Sequence, residues 1–367
     1  MPELVRAASG LLGEMYDERE GKFCYTLKRG PEGAYRDFAH PKSIRYSINT
    51  LLGLVVADER DELGWDLPAV FDHFLGQHLS EVTSPADQGM LLEALVRCGH
   101  DASGTVLETV LGVIKDGRHL GRLQAHDVAW MLSGIARHAH ETGSDRSRSA
   151  AEWLFRVMDR EFLNRDTVLP RFSREPWRRP FITFGGLTYF LRALADYAEL
   201  FDDTYAGVIL DEAVQQAILL QGPQGEWPWL WNADQKRIAD WYPVYTTHQA
   251  SMAMLFLLPA LDRGVPGVEG AIRKSYRWMF GENQLGTRLL VTDPFQTYRS
   301  IRRPGERKRG VAFVQGLRHA ALRSQARLLP PVELEVNREC RSYEMGWILY
   351  AWSGRAGFEE YTELELA

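Results

Sequence analysis

Several common signals of function are missing from this chain of 367 residues. Its three cysteines, Cys24, Cys98 and Cys340, are far apart and odd in number, which argues against a disulfide framework and against a cysteine-rich zinc site. No apolar run approaches the roughly 18 residues that a membrane-spanning helix needs. The N-terminus places Glu3 early and lacks a basic-then-apolar leader, so the expectation is a cytoplasmic protein with no membrane span. Positive charge is not in excess. Lys and Arg number 43 against 49 Asp and Glu, a net charge of -6, which argues against a nucleic-acid partner. The signatures HExxH, GxSxG, Walker A and GxGxxG after a strand are all absent, and no metal or cofactor is expected. Strand-like alternation is nearly absent as well.

What the chain does have is helical periodicity. Amphipathic segments at 3–16, 67–79, 103–115, 146–162, 205–220 and 268–280 alternate with segments that are apolar nearly all round. The latter cover 44–57, begin near Asp87, Gln124 and Phe184, cover 246–258, and begin again at Cys340. A helix apolar on all sides is a buried one, so the repeat unit is an outer–inner helix pair. The buried segments carry Gly53, Gly89, Gly134, Gly185, Gly186 and Gly346, small residues that let backbones approach. This pattern predicts an all-α fold, an (α/α)6 toroid of six inner and six outer helices, as one domain over 1–367. An open helical solenoid has the same local pattern, and the count of six pairs favours closure.

Loop lengths give the ring a working face. Connections from outer to inner helices include the long segments 17–43, 163–183, 221–245 and 281–339, all at the end where inner helices begin. Long loops in a compact domain are usually functional or disordered, and these hold many aromatics. Helix N-termini add free N–H groups and a positive dipole end, which favour anions and oxygen-rich ligands. Polar residues gather there: Arg45, Tyr46, Asp87, His126, Asp127, Trp130, His248, Gln249, Tyr343 and Glu344. Asp87 and Asp127 also fit as simple helix caps. Arg45 runs against the helix dipole and so calls for a carboxylate or substrate partner.

The loop 221–245 concentrates Trp227, Trp229, Trp231, Trp241, Tyr242 and Tyr245. Such rings stack on sugar faces, isoprenoid chains or cations, and some of them pin the loop to the barrel. Glycoside chemistry needs two carboxylates, about 5–5.5 Å apart for retention or about 6.5–9.5 Å for inversion. Candidates on this face are Asp37, Asp87, Asp127, Glu226, Asp234, Asp240 and Glu344. Glu226 precedes Trp227 and Asp240 precedes Trp241; an apolar surround raises a carboxyl pKa and suits a general acid. With Asp37, they are the first choices for catalysis. His248 is a fourth candidate, an acid/base with Tyr245 or Tyr242 as partner, against the alternative of a buried histidine bonded to backbone. Two basic clusters complete the face, Arg171, Arg174, Arg178 and Arg179 around Trp177, and Arg299, Arg302, Arg303, Arg307, Lys308 and Arg309. Arg178, Arg179 and Arg299 are the better anion contacts, and 307–309 reads as a solvated charge run.

Two stretches carry a resemblance. Gln221, Gly225 and Trp227 fit the Q-x3-G-x-W pattern of the QW repeat of terpenoid cyclases, which resembles hairpin ends in six-hairpin glycosidases and N-acylglucosamine 2-epimerase-like proteins. The stretches RYSINTLLGL and HQASMAMLFLL look more like the sugar-processing toroids, and the cyclase DxDD motif is absent. The acidic run 58–62 superficially resembles a class I aspartate-rich motif but falls at the opposite end of the ring. The resemblance implies a carbohydrate-active enzyme, a glycoside hydrolase or transferase on an anionic small-molecule or oligosaccharide substrate in bacterial polysaccharide metabolism. The alternatives are a sugar epimerase or lyase using His and Tyr, a terpenoid cyclase-like enzyme binding an isoprenyl diphosphate, and a noncatalytic saccharide-binding protein.

Overall fold

The computed structural model describes residues 1–30, 33–61, 63–304 and 333–355. Its helices pair in chain order: α1 (Pro2–Met15) with α2 (Ser43–Asp61), α3 (Leu67–His78) with α4 (Pro85–Arg97), and α5 (Ser103–Lys115) with α6 (Ala125–Thr142). The series continues with α7 (Asp145–Val157) and α8 (Phe184–Phe201), α9 (Thr204–Leu219) and α10 (Met254–Asp262), and α11 (Val268–Met279) and α12 (Ser342–Trp352). Even-numbered helices form the inner ring. α2 packs on α4, α4 on α6, α6 on α8, α8 on α10, α10 on α12, and α12 returns to α2. That last contact closes the ring, which an open solenoid lacks. The basic run 307–309 lies outside the described residues.

Local chemistry sets the helix ends. Asp66, Ser144, Thr183 and Asp203 each accept a backbone N–H in the first turn of α3, α7, α8 and α9. Gly143 and Asp202 take left-handed backbone after α6 and α8, so the chain reverses within a few residues into the next outer helix. Inner-to-outer turns are therefore tight at one end of the ring, and the long connections lie at the other. Glycine lets two inner pairs touch backbone to backbone. A methyl group on Gly53 would overlap the Gly346 carbonyl, and one on Gly134 would overlap the Gly89 carbonyl.

Two features differ from the sequence expectation. The long loops contain short strands. Phe181–Thr183, Leu230–Asn232 and Arg237–Asp240 form an antiparallel sheet, and Val244–Tyr245, Ser300–Arg302 and Glu335–Asn337 form another. Strands of two to four residues show no readable alternation, and their pairings cross from loop to loop. The fifth inner helix is also irregular, with a π-helical turn at His248–Met252 ahead of α10 and Pro259 inside α10. Such turns occur often at functional sites. Among the described residues, no helix is long and apolar enough to cross a membrane.

Candidate active site

The inner-helix N-termini and the loops above them form the mouth of the ring. On one side Arg45, in the first turn of α2, donates from Nε to Asp87 Oδ1 at 2.5 Å and from Nη2 to Ser84 Oγ at 3.1 Å. Asp87 thus answers the need for an anionic partner to Arg45 and makes no side-chain cap on its own helix. Burial pushes the Asp87 carboxyl upward against the pull of Arg45, and Asp127 adds to the rise. Asp127 does cap its helix: Oδ2 accepts the Gln124 N–H at 2.9 Å, and Oδ1 lies 3.5 Å from His126 Nε2. Burial lowers the His126 pKa, with Asp127 opposing, so this imidazole is neutral near neutrality. Two carboxylates from adjacent inner helices therefore face one guanidinium and one imidazole.

The other side is built from tyrosines. Tyr46 stacks on Tyr25 with centroids 5.0 Å apart and meets Tyr343 at 4.3 Å with the rings tilted by 33°. Tyr25 is itself covered by His40 at 3.6 Å and by the Arg341 guanidinium at 3.6 Å. Arg299 lies 5.1 Å from the Tyr245 ring centroid, within electrostatic reach of Tyr343, Tyr46 and Glu344. Its Nη1 is buried with no hydrogen-bond partner, and among the described residues no carboxylate forms an ion pair with it. Glu344 accepts Thr297 Oγ1–H at 2.8 Å through Oε2, while Oε1 is buried and unpartnered. Burial raises the Glu344 pKa to about 7, with Arg299 and Thr297 opposing.

His248 sits between these groups and the aromatic loop. Its ring lies 5.0 Å from Tyr245, 4.6 Å from Phe184 and 6.3 Å from Trp229, parallel to the last within 1°. Nδ1 is buried without a partner, so it does not make the bond to backbone that the alternative reading required. Burial, aided by the charge of Arg299, lowers its pKa to about 3. Deeper in the ring, Tyr189 contacts Trp130 at 4.8 Å and Trp347 at 6.0 Å, and Trp130 stacks on Trp347 at 5.6 Å. Tyr189 keeps partial exposure, whereas both tryptophans are buried.

The aromatic loop divides into two roles. Trp227 and Trp231 are fully buried, donating to Ser275 Oγ at 2.8 Å and Pro228 O at 2.9 Å, and they pin the loop. Gln221 bridges Gly225 O at 2.9 Å to Ala271 O at 3.1 Å and Ser275 Oγ at 3.0 Å, joining this loop to α11. Gln249, buried, lies against the same backbone, and its amide, turned to place nitrogen toward Gly225 O at 3.0 Å and oxygen toward Trp227 N at 3.1 Å, satisfies both. Trp229, Trp241, Tyr242 and Tyr245 remain half-buried.

The carboxylates ranked first by sequence are occupied elsewhere. Glu226 is 5% exposed, accepts the Gln224 N–H at 2.9 Å and packs against Gly222, fastening its own turn. Asp240 takes a two-point ion pair from Arg303, at 2.6 and 3.2 Å, both side chains buried. Asp37 ends the hairpin Thr26–Gly30/Gly33–Asp37 and accepts the Ala39 N–H at 3.1 Å. Asp234 joins two loops through Asn164 and Arg171, each at 2.7 Å. A tryptophan next door in sequence says that a carboxylate is shielded, but not which way it faces. Arg178 pairs loosely with Glu175 at 3.8 Å, Arg179 is half-buried, and Trp177 is exposed. Tyr25, His40, Tyr189 and Trp347 were not singled out by sequence, whereas Arg341 stood among the polar residues that open an inner helix. Among the described residues no cluster of His, Cys, Asp and Glu is suited to a metal.

No family model and no curated protein matches the chain. Solved structures do share its architecture. A possible member of the GH105 family from Salmonella enterica aligns over 96% of this chain and 92% of its own at TM-score 0.62 and 12% identity. Cellobiose 2-epimerase from Bacillus thermoamylovorans aligns over 95% and 96% at TM-score 0.64 and 9% identity. An inactive variant of the α-1,6-mannanase GH76A of Salegentibacter, solved with α-1,6-mannotriose, aligns over 96% and 98% at TM-score 0.56 and 9% identity. At these identities the likeness is one of fold, the (α/α)6 toroid.

Proposed function

We propose that the chain is a glycosidase-like carbohydrate-active enzyme that cleaves or transfers a glycosidic bond of an anionic saccharide held in the mouth of the ring. The observation that carries this reading is Arg299. A guanidinium with no ion-pair partner among the described residues, set among Tyr46, Tyr245 and Tyr343, is suited to a substrate carboxylate or other oxyanion. Of these rings Tyr245 is half-buried and suited to border a sugar, while Tyr46 and Tyr343 are buried against each other. Asp87 and Asp127 are the carboxylate pair of this reading, with Asp87, paired with Arg45, as the ionised member. Glu344 is the acid, half-protonated near neutrality. The sugars named for two structural neighbours, cellobiose and α-1,6-mannotriose, support a carbohydrate substrate, and the anionic character rests on Arg299 alone. Glu226 and Asp240 serve the aromatic loop itself, holding its backbone and Arg303, and the catalytic roles first read for them are proposed instead for the carboxylates at the inner-helix N-termini.

A second reading rests on His248. A buried imidazole with a free Nδ1 beside Tyr245 is placed to move a proton at a sugar carbon, as epimerisation or β-elimination requires, provided that bound substrate raises its pKa from about 3 toward neutrality. Incubation with uronate oligosaccharides separates the two. New reducing ends mean hydrolysis, a changed sugar at constant mass means epimerisation, and an unsaturated ultraviolet-absorbing product means elimination. In the same assay Arg299→Gln is expected to weaken binding of uronate oligosaccharides at least tenfold, the order of a lost charge-assisted pair, and to leave neutral mannooligosaccharides unchanged. Equal loss on both, or none, overturns the anionic-substrate reading.

A further inference from the structure

Four flat groups lead outward from the Asp87–Arg45–Asp127 side of the mouth. The His126 and Phe172 rings lie within 15° of parallel, centroids 6.1 Å apart. The Arg178 guanidinium lies 4.9 Å from the Phe172 centroid and 5.5 Å from that of Trp177. Side-chain exposure rises along the stack, from 23% at His126 to 36% at Arg178, and Trp177 is 73% exposed. A single exposed tryptophan on a loose loop would need no explanation, but this loop is anchored. Phe172 O accepts the Ala125 N–H at 2.9 Å at the start of α6, and Phe172 N–H donates to Arg179 O at 2.9 Å. Arg174 Nη1 donates to the carbonyls of Leu120 and Leu123, each at 2.9 Å. Arg178 holds the indole from one side, and its exposure leaves the other face to solvent.

We infer that this stack is a distal saccharide subsite, so that the substrate is an oligosaccharide long enough to reach from the Asp87–Asp127 pair to Trp177. The inference rests on the reading of the mouth as a saccharide site and adds chain length to it. A pyranose ring presents a C–H face to the indole, and the rigid mounting removes the ordering cost that a mobile tryptophan would carry. The guanidinium beneath adds positive potential, which suits an anionic repeat unit.

The test uses the full chain and a uronate oligosaccharide ladder from dimer to hexamer, with affinity measured by calorimetry for wild type, Trp177→Ala, Trp177→Phe and Arg299→Gln. The expected result is that wild type binds hexamer more tightly than dimer. Trp177→Ala weakens the hexamer roughly three- to tenfold, the scale of one aromatic stack, and leaves the dimer unmoved; Trp177→Phe recovers part of the loss. Trp177→Ala with an undiminished hexamer affinity, or with equal losses on dimer and hexamer, overturns the subsite. If wild type binds neither length, the saccharide reading of the mouth falls and the subsite falls with it. A dimer that depends on Arg299 but not on Trp177 keeps the two readings apart.

Discussion

Glu344 is 1% exposed, and its proton has a consequence for stability. Its folded pKa, raised to about 7 from the ordinary 4.5, means that the native state holds a proton that the unfolded chain releases. Between those values the native state binds more protons, so this group's contribution to stability falls as pH rises from 4.5 to 7. Glu344→Gln keeps an oxygen for the Thr297 hydroxyl and removes the titration. It is expected to match wild type below pH 4.5 and to be more stable by about 2–3 kcal/mol above pH 7, read from urea midpoints at several pH values. A variant that tracks wild type across the whole range would show that the carboxyl ionises normally. His248 runs the other way. Its folded pKa of about 3 lies below the ordinary 6.5, so its contribution is present above 6.5 and is lost as pH falls toward 3.

At the scale of elements, helix packing is decided by where glycine meets backbone. Gly53 and Gly76 both lie inside helices. Around Gly76 in α3 a methyl group would meet nothing, whereas on Gly53 in α2 it would collide with α12. Gly53→Ala is expected to lower the urea-unfolding free energy by about 2 kcal/mol, the helix-propensity gain being smaller than the cost of forcing two inner helices apart. Gly76→Ala is expected to raise it by up to about 1 kcal/mol. The reverse order would mean that the inner helices are not held at backbone contact. Gly225 has a stricter reason: its φ is +95°, and a side chain there would run into the Lys274 carbonyl of α11. That turn carries Glu226 and Trp227, which is why these two residues serve the loop's own shape. The loop's outer rings, Trp229 and Tyr245, are the ones that border His248.

For the whole molecule, the ring is plugged by charge beneath the mouth. Arg192, 2% exposed, binds Glu93 at 2.5 Å and Asp196 at 3.2 Å, and lies 4.7 Å from the ring centroids of both Trp130 and Tyr350. Arg97 adds a second cation at 3.2 Å from Glu93, and Ser133 donates to Asp196 at 2.7 Å. Helices α4, α6, α8 and α12 thus meet on one ionic cluster at the centre. Arg192→Leu leaves two buried carboxylates with reduced compensation and is expected to destabilise the fold by about 3–5 kcal/mol. Thermal and urea unfolding should each remain a single transition, as one closed ring requires. A loss below about 1 kcal/mol would mean that water reaches the cluster and screens it.

Alternation of amphipathic and apolar helices, the six pairs and the side on which the long loops fall were all legible in the sequence, because helix periodicity and loop length are local properties of the chain. The resemblance of RYSINTLLGL and HQASMAMLFLL to sugar-processing toroids rested on the same local patterns. Closure was expected from the count of six pairs, but the residues that make it were not legible, since Gly53 and Gly346 stand almost 300 positions apart. The site divides in the same way. Arg45 announced itself by standing against a helix dipole, and its partner proved to be Asp87. Glu226 and Asp240 could not be told from Asp87 and Asp127 by their neighbours in sequence, because the direction of a carboxylate is set by what packs against it. Only the tertiary structure turned the first two toward Gln224 and Arg303, left Arg299 with no ion pair among the described residues, and set Trp177 at the end of a stack that begins on α6.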